Sequence, residues 1–227
     1  MTATLKTENG IAIVTMDDGK ANAISLTMLD AVNACLDEAE SADVLVLTGR
    51  PDRFSAGFDL KFMGGAEPED VRRLVTGGGK LAMRLFTWKQ PVVIASTGHA
   101  IAMGSFLLLG GDTRISARGA YKVGANETAI GMTLPGFAVE LPRARLNPMY
   151  LTESLIQGRL YTPDEAVPVG WLDRVVEPGE LMDAAMAEAE RLKPLSGGAY
   201  YRNKLLARQP AIDAVMPTLE MATTVKA

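Results

Sequence analysis

Pro91-Val-Val-Ile-Ala-Ser-Thr-Gly-His-Ala-Ile-Ala-Met-Gly-Ser-Phe106 decides the fold class. Residues 91–96 are mostly apolar and β-branched with no polar alternation, the pattern of a strand buried on both faces. Small residues follow, and the run from Met103 through Phe106 to Leu109 reads as an apolar helix. A fully buried strand that turns through small residues into a helix points to an α/β domain.

Outward from this stretch the alternation continues. Ile11-Ala-Ile-Val-Thr-Met16 and Asp43-Val-Leu-Val-Leu-Thr48 are short β-branched runs, and between them the apolar residues of 25–41 recur at three and four. The three segments predict strand, helix, strand. A helix is expected over 70–89, weakened or broken by Gly77-Gly-Gly79, and a strand over 113–116. After Glu140 the spacing is mostly helical, over 149–157, 163–167, 180–192, 198–208 and a last segment from Ala211, with a strand at 172–176. No repeat or linker divides the chain. One globular unit is expected, an α/β core over 1–190 and a C-terminal helical segment over 191–227.

Composition narrows the function classes. Lys and Arg number 23 against 27 acids, a net charge of −4, so no basic surface for nucleic acid is indicated. The longest apolar stretch, residues 100–109, is about half of a bilayer span, and the polar N-terminal residues resemble neither a secretion signal nor a presequence. No membrane association and a cytoplasmic location are the expectations. Cys35 is the single cysteine and His99 the single histidine, which excludes an internal disulfide and leaves no recognisable catalytic triad or metal cluster. Both read as structural.

Acids are unevenly spread. Between Asp70 and Glu140 only Asp112 and Glu127 occur, where an even distribution would place about eight. Glu127 lies among glycine and apolar residues, Val123-Gly-Ala-Asn-Glu-Thr-Ala-Ile-Gly-Met132, where a carboxylate loses hydration and becomes a natural general base. The plainer alternative is an exposed loop glutamate. Two strand-to-helix junctions precede it, Phe54-Ser-Ala-Gly-Phe-Asp-Leu-Lys61 and Thr97-Gly-His-Ala-Ile-Ala-Met-Gly-Ser-Phe106. Either alone is an ordinary tight connection. Together they could aim two backbone N–H groups at one acyl oxygen.

The chain resembles the crotonase superfamily of enoyl-CoA hydratases and isomerases. The motifs that carry the resemblance are Lys20-Ala-Asn-Ala-Ile24, Leu45-Val-Leu-Thr-Gly49, Phe54-Ser-Ala-Gly-Phe-Asp-Leu60, Lys89-Gln-Pro-Val-Val-Ile-Ala95, the segment 124–135, and 160–176 with its Asp173-Arg-Val-Val176. The resemblance implies a (ββα)-repeat spiral core with a C-terminal helical layer, an acyl-CoA thioester substrate, and a homo-oligomer, a trimer or dimer of trimers. It also implies that the chain ends some tens of residues short of a typical member.

By the same resemblance, the oxyanion hole falls on the N–H groups of Phe58 and Met103. Glycine is usual at the second position. Coenzyme A is expected against Lys20, Ala21 and Asn22 and against Ala56, Phe58, Asp59, Leu60 and Lys61, with Lys204 a weaker phosphate candidate. Met63, Phe106 and Leu134 are expected on the acyl pocket. Hydratases of the family carry two glutamates, and here the first position is Phe106 and the second is Glu127. Gly124-Ala-Asn-Glu-Thr-Ala-Ile-Gly131 is most similar to the single-glutamate Δ3,Δ2-enoyl-CoA isomerases, which need no metal or redox cofactor. A hydratase, a thioester hydrolase and a non-catalytic acyl-CoA binder stay open as alternatives.

Overall fold

The strand-forming runs read from the sequence lie side by side at the centre of a six-stranded sheet. The computed structural model describes residues 2–224, with side chains to residue 219, so the last three residues of the expected 191–227 segment lie outside the described residues. In chain order the first elements are β1 (Ala3–Glu8), β2 (Ile11–Met16), β3 (Ala23–Ile24), α1 (Leu26–Glu38) and β4 (Val44–Gly49). Then come β5 (Asp52–Ser55), β6 (Gly57–Phe58), α2 (Leu60–Gly65), α3 (Pro68–Phe86), β7 (Val92–Ser96), β8 (Gly98–Ile101) and α4 (Met103–Gly110). The remainder is β9 (Thr113–Ala117), β10 (Val123–Gly124), α5 (Gly136–Arg145), α6 (Pro163–Val169), β11 (Arg174–Val176), α7 (Leu181–Leu192) and α8 (Gly198–Thr224).

The large sheet has the order β1-β2-β4-β7-β9-β11, parallel throughout except for the β1–β2 hairpin. Its central strands bury both faces, as their unbroken apolar sequence requires. Val44 and Val46 of β4 pack with Val93 and Ala95 against Leu181, Ala185, Ala189 and Leu192 of α7. Leu45 and Leu47 face the other way, with Ile94, into the core formed by α1, α3 and α4. No described helix is long and apolar enough to cross a membrane.

A second, smaller sheet sets the functional geometry. It has the order β10-β8-β5, all parallel, with Ser55 opposite Ala100 and Gly124 opposite Ile101, so the three strands end at one level. The two-residue strands β3 and β6 pair beside it.

Three helical segments differ from the sequence expectation, the first being residues 149–157, which form a 3₁₀ turn, Pro148–Tyr150, and a π-helical turn, Thr152–Ile156, in place of an α-helix. The run Gly77-Gly-Gly79 does not break α3, which continues from Pro68 to Phe86. Residues 198–208 and the segment from Ala211 form one helix, α8, with Pro210 and Pro217 inside it. Both prolines are exposed, while Lys204, Arg208, Ala211, Val215 and Leu219 make a buried stripe at helical spacing. Docking of that stripe offsets the hydrogen bonds the prolines remove.

Candidate active site

The three strands of the small sheet each deliver one part of the site at their C-terminal ends. β5 leads to Phe58, β8 to Met103 and β10 to Glu127. What brings the first two together is the absence of side chains. A Cβ on Gly104 would fall 2.5 Å from the Ser55 carbonyl oxygen, so only glycine lets the start of α4 lie on β5. Gly57 has φ +91°, and a Cβ there would fall 2.9 Å from the Ile101 carbonyl oxygen and 3.3 Å from the Met103 amide nitrogen. The Gly57–Phe58 peptide therefore lies against the first amide of α4. That amide belongs to the N-terminal turn, whose N–H groups have no carbonyl partner within the helix.

The residue that aims the Met103 amide is Ala102. It sits at φ +52°, ψ −123°, a conformation that costs a non-glycine residue about 1–3 kcal/mol. The sequence reading placed the departure from glycine at Met103, and the strained position is one residue earlier. Met103 itself is fully buried with its thioether directed at α3, where its Sδ would lie 3.1 Å from a Cβ on Gly78.

Asn22 braces the β5 side. Its side-chain amide donates to the carbonyls of Met16 at 2.8 Å, Arg53 at 3.0 Å and Phe54 at 3.3 Å, and its Oδ1 accepts the Asp18 N–H at 3.0 Å. Ser55 Oγ donates to the Asn22 carbonyl at 2.8 Å and accepts the Gly57 N–H at 3.2 Å. Asn22 is fully buried with its side-chain N–H groups engaged, so its side chain supports the loop and offers no free donor to a cofactor. Asp59 is committed too, capping α2 by accepting the N–H groups of Lys61 and Phe62 at 3.1 Å. Lys20, Ala56, Leu60 and Lys61 are exposed and Ala21 half-buried at the same edge.

Glu127 opens a single 3₁₀ turn, Thr128–Ile130, just after β10. Its carbonyl accepts the Ile130 and Met132 N–H groups at 3.1 and 2.9 Å, and Thr128 Oγ1 donates to the Leu155 carbonyl at 3.1 Å, which fixes the turn to the following segment. Only 8% of Glu127 is exposed, and its Oε2 is buried with no hydrogen-bond partner among the described residues. Burial raises its pKa above the ordinary glutamate value, partly opposed by its own backbone N–H.

The carboxylate faces a cavity of about 330 Å³ walled by Phe58, Val75, Ile101, Phe106, Met132, Leu134 and Phe137, with Ala56, Leu60 and Ala102 contributing beside the Phe58 end. Asn126 and Thr133 are the uncharged polar side chains on its wall, and Glu127 is the one titratable group there among the described residues. Phe106 is 1% exposed and packs edge-on against Phe137, centroids 5.8 Å apart, and at 6.2 Å from Trp171. Phe106 thus joins the cavity wall to an aromatic cluster.

Two expected residues do not reach the site. Met63 is outside the cavity wall, because its place on α2 turns it toward the core. Lys204 is 7% exposed and carries no free charge for a phosphate. It donates to the Trp88 and Gln90 carbonyls at 2.9 and 2.8 Å and pairs with Asp112 at 2.7 Å, and burial lowers its pKa to about 8. His99 accepts the Lys122 N–H at Nδ1, away from the cavity. Conversely, the sequence reading missed Ala102, Asn126, Val75 and Phe137. Ala102 and Asn126 stand beside residues it did single out, whereas the inward faces of Val75 and Phe137 depend on helix packing.

Geometrically, the site offers a carboxylate of raised pKa in an apolar cavity whose wall also includes Phe58 and Ala102, the residue before the Met103 amide. From residue 6 to residue 205 the chain matches the family model described as enoyl-CoA hydratase/isomerase. It is similar to the short-chain-enoyl-CoA hydratase of Clostridium acetobutylicum, 32% identical over 194 residues that cover 83% of this chain and 74% of the relative. Among solved structures it is similar to an enoyl-CoA hydratase from Mycobacterium ulcerans, with 36% identity, a TM-score of 0.95 and 98% of each chain covered. It is also similar to the Mtb enoyl-CoA isomerase, with 35% identity, a TM-score of 0.93 and 99% of each chain covered.

Proposed function

The chain belongs to the enoyl-CoA hydratase/isomerase family and has the crotonase fold, and on that premise we propose that it moves the double bond of a 3-enoyl-CoA to the conjugated 2-position. As a family member it is an enzyme of acyl-CoA thioesters. The observation that carries the finer reading is that Glu127 is the one carboxylate on the cavity wall among the described residues, while Phe106, which the family resemblance aligns with a hydratase's other glutamate, brings a ring to the same wall.

In the proposed reaction the Glu127 carboxylate removes a proton from C2 of the 3-enoyl thioester. The electrons pass into a dienolate whose oxygen is held by the N–H groups of Phe58 and Met103. Glu127, now the acid, returns the proton to C4, and the double bond comes to rest between C2 and C3. No proton is gained or lost overall, so one carboxylate suffices. Its raised pKa makes it a stronger base than an exposed glutamate, and the Phe106–Phe137–Trp171 cluster keeps water from the dienolate. Coenzyme A is assigned to the edge formed by the backbone of residues 56–60 and the exposed Lys20 and Lys61, because the Asn22 and Asp59 side chains are already committed.

Hydration of a 2-enoyl-CoA is the second reading, favoured by the hydratase names of relatives such as the Clostridium acetobutylicum protein. It would require Glu127 both to activate water and to deliver the α-proton. Product analysis separates the two. Incubation with 3-enoyl-CoA should give the 2-enoyl ester faster than 2-enoyl-CoA gives the 3-hydroxyacyl ester, and Glu127→Gln should lower isomerisation by about 10²–10⁴ while acyl-CoA binding persists. Faster hydration than isomerisation, or an active Glu127→Gln protein, would overturn the proposal.

A further inference from the structure

Helix α5 begins at the acyl cavity with Phe137 and ends at a second one. There α5, α8 and the Phe86 end of α3 enclose a cavity of about 360 Å³ whose wall includes Arg145 and Arg208. Ala144, Ala207 and Pro210 at its rim are exposed, so the cavity is open to solvent.

Arg208 is 9% exposed and largely committed. It donates to the Phe86 carbonyl and to Asp112 Oδ1 at 2.8 Å, and its guanidinium lies 4.3 Å from the centre of the Phe86 ring. Arg145 is not. Its Nη2 donates to the Gly111 carbonyl at 2.8 Å, but its Nε is buried with no hydrogen-bond partner among the described residues.

The charges around the cavity do not balance. Four cations, Arg114, Arg145, Lys204 and Arg208, face two carboxylates, Asp112 and Asp173. Arg114 pairs with Asp173, and Lys204 and Arg208 share Asp112, which leaves Arg145 with no ion pair among the described residues. Burial, and then repulsion from Arg114 and Arg208, lowers its pKa to about 10, still protonated at neutral pH. A partly desolvated cation without a counter-ion is costly, and a guanidinium is a charge that pairs readily with an oxyanion.

We propose that the cavity between α5 and α8 binds a small oxyanion, a phosphate, sulfate or carboxylate group, between Arg145 and Arg208. The Arg145 guanidinium, with no ion pair among the described residues, supplies the charge and the anion supplies the missing counter-charge. The site does not depend on the reaction at Glu127.

Thermal melts of the full chain against inorganic phosphate, sulfate and acetate, at ionic strength held constant, test it. The wild-type melting temperature should rise with each effective anion and saturate, as binding to the folded state alone requires, and the saturable part should vanish in Arg145→Met. Arg145→Lys, which keeps the charge and loses the guanidinium, should weaken binding at least about tenfold. Calorimetric titration of unmodified protein with inorganic phosphate reads the site without a variant. No saturable effect of any of the three anions on the wild type, or an equal one in Arg145→Met, would overturn the assignment.

Discussion

Gly78 lies in the middle of α3, beneath the two residues whose amides are assigned to the dienolate oxygen. A Cβ placed there would fall 2.6 Å from Phe58 Cε1 and Cζ and 3.1 Å from Met103 Sδ, whereas ordinary contact begins at 3.4 Å. The Phe58 ring would have to retreat by the difference between 3.4 and 2.6, about 0.8 Å. Gly78→Ala gains about 0.8–1 kcal/mol of helix propensity, and overpacking of this kind costs about 1–3 kcal/mol. The net expectation is a loss of up to about 2 kcal/mol, with kcat reduced more than substrate affinity because both amides are displaced. Gly64 in α2 is the internal control, since nothing lies within 4 Å of a Cβ there and Gly64→Ala should be stabilising by up to about 1 kcal/mol. Melts of the two variants side by side should differ by several degrees, at about 2–4 °C per kcal/mol for a chain of this size. A Gly78→Ala protein as stable as Gly64→Ala and with wild-type turnover would refute the idea that this glycine makes room for the site.

Asp112→Asn leaves Lys204 and Arg208 buried without an anion, and urea denaturation should show a loss of about 3–5 kcal/mol; a loss below about 1 kcal/mol would mean that the pair does not dock α8. Ala102→Gly removes the side chain from a φ of +52°, and should be stabilising by up to about 2 kcal/mol after the entropy cost of glycine, as measured by thermal melts. For Glu127 the folded-state pKa is raised, so folding takes up protons there. Wild-type stability should fall relative to Glu127→Gln as pH rises through the ordinary glutamate value to the raised one, and above it the variant should be more stable by on the order of 1 kcal/mol. Wild-type turnover should fall as pH is lowered through that same raised value, and a profile flat to pH 4 would remove Glu127 as the base.

The uneven acids were the most legible signal. Both acids in the sparse region have buried assignments, Asp112 as the shared counter-ion of Lys204 and Arg208 and Glu127 in the cavity. Strands with unbroken apolar runs were readable because burial on both faces leaves no other composition. β1 was not, since its Lys6, Thr7 and Glu8 are exposed on an edge strand; Asn9-Gly10, both at positive φ, was the hairpin signal available. The strands β3, β5, β6, β8 and β10 have two to four residues each, too few for a period, and they exist through pairing with distant segments. The glycines of α3 read as helix breakers because local propensity was all the sequence offered, and packing against Phe58, Phe137 and Leu29 outweighs it. Lys204 reads as an exposed phosphate candidate, and its burial and its hydrogen bonds to Trp88 and Gln90 take it out of that role.

The central claim is that one carboxylate carries one proton from C2 to C4. Single-turnover conversion of 3-enoyl-CoA deuterated at C2, followed by isotope analysis of the 2-enoyl product, tests it most directly. Deuterium from C2 should appear at C4 in the wild type, and Glu127→Gln should form almost no product. Product free of transferred label, formed equally fast by Glu127→Gln, would contradict it.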